Sequence, residues 1–294
     1  MNGKVVVITG ATSGIGKVAA EKLAAMGARL VIVARDPVRG EALMARLAEV
    51  GAGAEHRIHY ADLTLLADMK RVADDIAVAE DRVDVLLNNA GALFGSWELT
   101  EDGLERTFAL NHMSYFVLTH GLRERLLASA PARVVNTSSD AHEGKRLDFH
   151  DLQSSRGYAA FKAYGRSKLC NILFTRELAR RLEGSGVTAN CFHPGFVNTR
   201  FGDESGGLMA IGVRIGKAFA LSPEKGAETL IYLASSPEVQ DASGGYFYRR
   251  QPARPSPAAF ENTTARRLWV ESARLAGIDE DQFPPPMTAP PGSG

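Results

Sequence analysis

The chain has 294 residues, 45% of them hydrophobic and 23% charged, with 34 basic side chains balancing 34 acidic ones. That balance excludes a global attraction to nucleic acid or an anionic membrane, and no apolar run is long enough to read as a membrane span. Two cysteines, Cys170 and Cys191, are too few for a disulfide framework or a cysteine-built zinc site, and with a beginning that runs straight into a strand they predict a cytoplasmic protein. The first strand reads over Val5–Thr9, and Ile15, Val18, Ala19, Leu23 and Met26 follow at helical spacing before a second strand over Arg29–Ala34. The same beat predicts a helix over 40–50, a strand over 56–61, a helix over 66–79 and a strand over 83–91. A helix over 103–128, a strand over 132–139, a helix running on from Tyr164 and a strand over 187–195 continue it. Strands alternating with helices predict an α/β fold, one doubly wound parallel sheet with helices on both faces, forming a single domain over residues 1–283. Residues 200–220 hold five glycines and suit a lid, with Phe201, Leu208, Met209, Ile211 and Phe219 as its apolar face. Residues 230–237 read as a helix end, 244–248 as a last strand, and 284–294 as a disordered tail.

The first βα turn, TGATSGIG over residues 9–16, places Gly10, Gly14 and Gly16 between a strand and a helix. Without Cβ atoms there, backbone amides can approach a pyrophosphate at a helix N-terminus, so the turn predicts a dinucleotide site. Such a site selects its ribose at the end of the second strand. A carboxylate at that point favours NAD, yet here Ala34 and Arg35 stand there, and a guanidinium can grip a 2′-phosphate with two bonds. The cofactor expected is therefore NADP(H). Lys17 could add a second charge, and Asp36 keeps open the alternative of an NAD-preferring site.

Six segments in order, TGATSGIG, NNAG (88–91), Asn111, NTSS (136–139), YGRSK (164–168) and HPGFVNT (193–199), resemble the short-chain dehydrogenase/reductases over residues 3–250. Within that family, PARVVNTSSDAH, DFHDLQ, SKLCNILFTRELARRLEGSGVT and NTTARRLW resemble the retinol dehydrogenase branch, which includes relatives of the WW-domain-containing oxidoreductase. The resemblance implies a Rossmann fold and an oxidoreductase that interconverts an aldehyde or ketone and its alcohol. It implies Tyr164 as acid and base, Lys168 on the nicotinamide ribose, Ser139 on the substrate oxygen, and Asn111 holding a water that connects Lys168 to solvent. The cofactor contacts it implies are Gly10, Thr12, Ser13, Gly14, Ile15, Gly16, Arg35, Asp62, Leu63, Asn89, Ala90, Gly91, Tyr164, Lys168, Pro194, Gly195, Val197 and Thr199. Asn88 is expected to brace the sheet.

Tyr164 and Lys168 stand four apart and share one helix face. A free phenol loses its proton near pH 10, so action near pH 7 needs a drop of roughly 3 units, worth about 4 kcal/mol. A positive charge about 4 Å away supplies that much at an effective dielectric of about 20, so Lys168 is expected to poise Tyr164. His112, His142, His150 and His193 match no zinc spacing, and no metal is expected. His142 and Phe149 are expected to wall the substrate pocket. Vertebrate members of the retinol dehydrogenase branch carry an apolar N-terminal anchor; none is read here, so the expected partner is a small lipophilic carbonyl or alcohol, without nucleic acid or membrane anchor. The resemblance implies pairing of two copies through residues 114–128 and 163–182. The rival readings are an NAD-preferring alcohol or steroid dehydrogenase and a non-catalytic NADP sensor on the same fold.

Overall fold

The structure, a computed structural model, describes residues 1–51, 53–195, 221–280 and 283. The alternation in the sequence resolves into one eight-stranded sheet in the order β3-β2-β1-β4-β5-β6-β7-β8. Its strands are β1 Val5–Thr9, β2 Arg29–Ala34, β3 Arg57–Tyr60, β4 Val85–Asn88, β5 Ala132–Thr137, β6 Val187–Phe192, β7 Tyr246–Tyr248 and β8 Gln251–Pro252. The first seven pair in parallel, and β8 turns back antiparallel along β7. Parallel strands covered on both faces need apolar residues at every position, which is why VVVIT and VLLN are buried throughout.

Helices α1 Gly14–Ala25, α2 Pro37–Val50 and α8 Pro223–Ser235 cover one face of the sheet over an aliphatic core of Ala19, Leu23, Leu43, Leu47 and Leu230. The other face carries α3 Leu66–Ala79, α5 Ser114–Gly121, α7 Ala160–Arg181 and α9 Asn262–Ala276. Its core is aromatic: Phe116, Phe174 and Trp269 pack with ring centroids 5.2 to 5.8 Å apart. Every residue from Ser114 to His120 is buried inside this one chain.

Several elements differ from the sequence expectation for physical reasons. β4 ends at Asn88 rather than 91, because the Thr9 hydroxyl accepts the N–H groups of Asn89 (3.0 Å) and Ala90 (2.9 Å) and draws the chain out of the ladder. α2 begins at Pro37, earlier than expected: the Asp36 carboxylate accepts from Arg39 N–H at 3.1 Å, and proline occupies the first turn. The helix expected over 103–128 is three pieces, α4 Arg106–Phe108, α5, and α6 Arg123–Ala128, with a π turn at Ala109–Met113 that carries Asn111. α7 starts at Ala160, a full turn before Tyr164, and α9 was not expected at all. The lid expected over 200–220, with its apolar Phe201, Leu208, Met209, Ile211 and Phe219, and the tail expected over 284–294 lie outside the described residues.

Candidate active site

The carboxyl ends of β1, β4 and β5 open onto a cavity of about 880 Å³, where the strand order reverses between β1 and β4. Hydrogen bonds tie the three ends together. Asn89 donates through Nδ2 to the carbonyls of Thr9 (3.2 Å) and Gly10 (3.1 Å), and its Oδ1 accepts from the Thr137 hydroxyl at 3.2 Å. Asn88 donates to Thr119 Oγ1 and Asn136 Oδ1 in the interior, bracing β4 against β5 and α5.

At one end of the cavity lies the glycine turn. Gly10 has φ +66°, and a Cβ there would stand 2.7 Å from the Ala90 Cα, so the turn can lie against the segment that follows β4 only as glycine. α1 starts at Gly14 from an extended Ser13 that makes no side-chain cap, an end suited to a phosphate. Thr12, Ser13, Gly14 and Ile15 line this end, while Gly16 does not: a Cβ at Gly16 would strike the Gly10 carbonyl and Asn89, so its role is packing of the turn. Ala34, Arg35, Asp62 and Leu63 line the adjoining wall, together with Asp36 and Arg39. Asp62 holds its own loop, accepting from the Thr64 N–H and hydroxyl at 2.9 and 2.8 Å. Asp36 is committed to the start of α2, with Arg39 Nε 3.4 Å from its carboxylate.

The opposite end is built by β5 and α7. Tyr164 sits on the second turn of α7, its phenol hydrogen-bonded to Ser139, and Lys168 follows one turn on, its Nζ 5.5 Å from the Tyr164 ring centroid and 5.8 Å from that of Tyr115. Nζ donates to the Thr137 carbonyl at 3.1 Å. Gly91 makes room for this: a Cβ there would meet Lys168 Nζ at 3.3 Å and Asn111 Oδ1 at 3.2 Å. Ser138 turns away and donates to the Lys168 carbonyl at 2.9 Å, which leaves Ser139 facing Tyr164. Ala90, Gly91, Ser139, Tyr164, Lys168, Pro194 and Gly195 all line the cavity. Asn111 does not: it is fully buried, donating through Nδ2 to the Ala92 carbonyl (2.9 Å) and Ser167 Oγ (3.0 Å) and accepting from Ala92 N–H (2.9 Å). Its side chain fastens residues 91–92 beside Lys168. Val197 and Thr199 lie outside the described residues.

The electrostatics differ from the sequence expectation. Burial pushes the Tyr164 phenol well above its usual range, outweighing the lowering by its bond to Ser139, and Asp140 adds to the rise. Burial also lowers the Lys168 ammonium to about 7. Lys168 aims its Nζ at Thr137 rather than at the phenol, so desolvation decides both groups. The pair therefore presents a neutral phenol beside an amine that is readily deprotonated.

Reading residues one motif at a time missed Arg39, Leu93, Phe94, Lys145 and Phe161, which also line the cavity. Arg39 had a signal in its spacing from Arg35; the others arrive from loops that only the fold brings together. His142 and Phe149, expected as pocket walls, are elsewhere: His142 is buried beneath the Ser139 turn and Phe149 lies under the Arg267 guanidinium. Among the described residues no group of three His, Cys, Asp or Glu side chains could hold a metal ion.

The family described as short chain dehydrogenase matches residues 4–207. The chain is similar to human retinol dehydrogenase 13, at 42% identity over 94% of this chain and 86% of that protein, and to human retinol dehydrogenase 12, at 41% identity over 94% and 87%. Among solved structures it is similar to an uncharacterised protein from Mycobacterium Paratuberculosis, at 34% identity and TM-score 0.76 over 95% of each chain. It is also similar to the Pseudomonas aeruginosa RhlG/NADP active-site complex, at 27% identity and TM-score 0.67 over 89% of this chain and 97% of that one. These relatives overturn the cytoplasmic location expected from composition, since the matched retinol dehydrogenases belong to a membrane-associated group. The two cysteines and the opening strand on which that expectation rested bear on redox state and export, and neither reports contact with a membrane surface. No helix among the described residues is long and apolar enough to cross a membrane.

Proposed function

We propose, for a chain that belongs to the short-chain dehydrogenase/reductase family and is an oxidoreductase acting on CH–OH groups with a nicotinamide cofactor, that it uses NADP(H) to interconvert a lipophilic aldehyde or ketone and its alcohol. The observation that carries the reading is a single cavity lined at one end by the glycine turn with Arg35 and Arg39, and at the other by Ser139, Tyr164 and Lys168.

The cavity fits a dinucleotide: Gly10, Gly14 and the open start of α1 form a cradle that Cβ atoms would fill, and two guanidinium-bearing residues stand where a 2′-phosphate would lie. Asp36 is held at the start of α2, which supports NADP(H) over NAD(H). When bound, the nicotinamide supplies or accepts the hydride. The Ser139 and Tyr164 hydroxyls are hydrogen-bonded to one another on the cavity wall, Ser139 Oγ also donating to Asp140 Oδ1 at 3.1 Å, and a substrate oxygen seated against the pair would take over these donors. A phenol kept protonated by burial is the proton donor that carbonyl reduction requires, and Lys168, whose ammonium is lowered to about 7, can return that proton from the interior. Leu93, Phe94, Leu110 and Phe161 give the substrate side an apolar lining, which supports a lipophilic substrate. Retinal heads the list of candidates, because the matched relatives are named for retinol.

The test is NADPH oxidation against a panel of lipophilic aldehydes and ketones, with Tyr164→Phe beside the wild type. Loss of the acid is expected to lower kcat about 10³-fold; equal rates would remove Tyr164 from the chemistry. In parallel, Arg35→Ala is expected to weaken NADPH binding about tenfold with NADH unchanged, the loss of one charge-assisted contact. An unchanged preference would refute the cofactor assignment.

A further inference from the structure

We infer that His142 is a positioning residue for Ser139: its imidazole clamps the Ser139 carbonyl and anchors it to the backbone of Ser256, 114 residues further along the chain. The inference rests on the reading of Ser139 as the hydroxyl that holds the substrate oxygen.

The ring is 0% exposed and does not line the cavity, so it neither touches substrate nor relays protons to solvent. Its two nitrogens face groups whose roles are fixed. The Ser256 backbone N–H can only donate, and it points at Nε2 from 3.0 Å, so Nε2 is the acceptor and carries no hydrogen. The hydrogen of the neutral ring therefore sits on Nδ1, which is 2.6 Å from the Ser139 carbonyl, an atom that can only accept. The Glu143 carboxylate 3.4 Å from Nε2 is then a contact rather than an ion pair. Tyr246 of β7 stands edge-on to the ring at 5.4 Å and fixes its plane.

The consequence for the site is geometric. The Ser139 carbonyl also accepts from the His142 backbone N–H at 3.3 Å, so two donors of one residue hold it. A fixed carbonyl fixes ψ of Ser139, which is 153°, and with φ at −161° the backbone determines where the side chain projects. That direction brings Oγ to Tyr164, while the Ala141 N–H donates to it at 3.1 Å. On the far side the Ala141 carbonyl lies against Gly165, the residue after Tyr164, so the turn is held between α7 and the segment at Ser256. Small displacements of a hydrogen-bonding group at a reacting centre cost rate disproportionately.

Two substitutions separate the two bonds. His142→Asn keeps an N–H donor at the place of Nδ1 and loses the acceptor for Ser256; His142→Gln keeps an acceptor near the place of Nε2 and loses the donor to Ser139. The measurement is kcat and KM for NADPH-dependent carbonyl reduction, with thermal melting of each variant. We expect His142→Gln to lower kcat about 30-fold with KM for NADPH within about twofold, and His142→Asn to stay within about threefold of wild-type kcat although it melts lower. Equal losses in the two variants, or an unchanged kcat in His142→Gln, would overturn the clamp. If neither variant folds, Ser256→Pro deletes the N–H at a residue whose φ of −55° suits proline, and about fivefold lower kcat is expected; wild-type kcat there would overturn the link to Ser256. The tautomer has its own readout: nitrogen-15 NMR of the wild type should show the His142 proton on Nδ1 whether or not the enzyme turns over the panel, and a proton on Nε2 sinks the inference by itself. Absence of wild-type turnover with the expected tautomer would count against the proposed function, whereas normal turnover with an unmoved His142→Gln variant counts against the clamp alone.

Discussion

The two ends of the cavity carry their charge by opposite means. At the glycine end Arg35 and Arg39 stand exposed on the rim, Arg39 beside a partly exposed Asp36. At the chemical end Lys168 is 2% exposed, and burial alone moves its ammonium to about 7. A rim charge acts through solvent, is weakened by salt, and adds selectivity to a shape already made by backbone. A buried charge changes its own protonation instead, so the same residue type becomes a reagent. Under the proposed function, recognition is a matter of backbone fit with charge as a correction, and chemistry is a matter of desolvation.

The harshest way to break the contrast is to alter the backbone fit. Gly10→Ala must adopt φ +66° and place its Cβ 2.7 Å from the Ala90 Cα and 2.9 Å from the Ala90 N, which are backbone atoms with nowhere to retreat. Left-handed backbone and overpacking together cost about 3 kcal/mol, to be read from urea unfolding, and NADPH binding should weaken alongside. A variant within about 1 kcal/mol of wild type would mean that the turn is more pliant than its contacts imply.

The chemical end is sharpened by pH. Between about 7 and the usual lysine value of about 10.4, the unfolded chain holds the Lys168 proton and the folded chain does not. The unfolded state binds more protons in that window, so stability rises with pH through it. Between about pH 7.5 and 9 the wild type should gain about 2 kcal/mol relative to Lys168→Met, at 1.36 kcal/mol per pH unit. Parallel stability profiles for the two proteins would show that the ammonium is solvated and that burial does not set its acidity.

The two ends were unequally legible. The strands could be read because a parallel sheet with both faces covered demands β-branched runs such as VVVIT, and the glycine turn because its glycines bracket a strand and a helix. Tyr164 and Lys168 could be paired because a helix sets residues four apart on one face. What pairing could not give was depth: the expected lowering of the phenol assumed a solvated pair, and the fold buries it and turns Nζ toward Thr137. The π turn at Ala109–Met113 was missed because an extra residue in one turn barely disturbs a helical pattern read over 103–128. α9 was missed although Ala265, Leu268, Trp269, Ala273 and Ala276 repeat at helical spacing, so that signal was present. The His142 clamp had none, since its partner at Ser256 becomes a neighbour only when β7 and the segment after it fold beside β6.

The smallest expected effect bears on the rim, and its two parts have opposite signs. Asp36 caps α2 through Arg39 N–H, and removing a capping carboxylate costs about 1 kcal/mol. The same carboxylate places a negative charge beside Arg39, 3.4 Å from its Nε, on a wall where the proposed 2′-phosphate would lie. Asp36→Ala should therefore lower stability by about 1 kcal/mol while tightening NADPH binding about threefold, the size of an exposed charge interaction. NADH binding carries no such phosphate and should not tighten. Raising the salt concentration should shrink the gain for NADPH but leave most of the capping loss in place, because screening acts on separated exposed charges more than on a direct hydrogen bond to a backbone N–H. Tightening of both cofactors alike would assign the effect to a shift of α2 rather than to charge, and the rim would then select by shape as the glycine turn does.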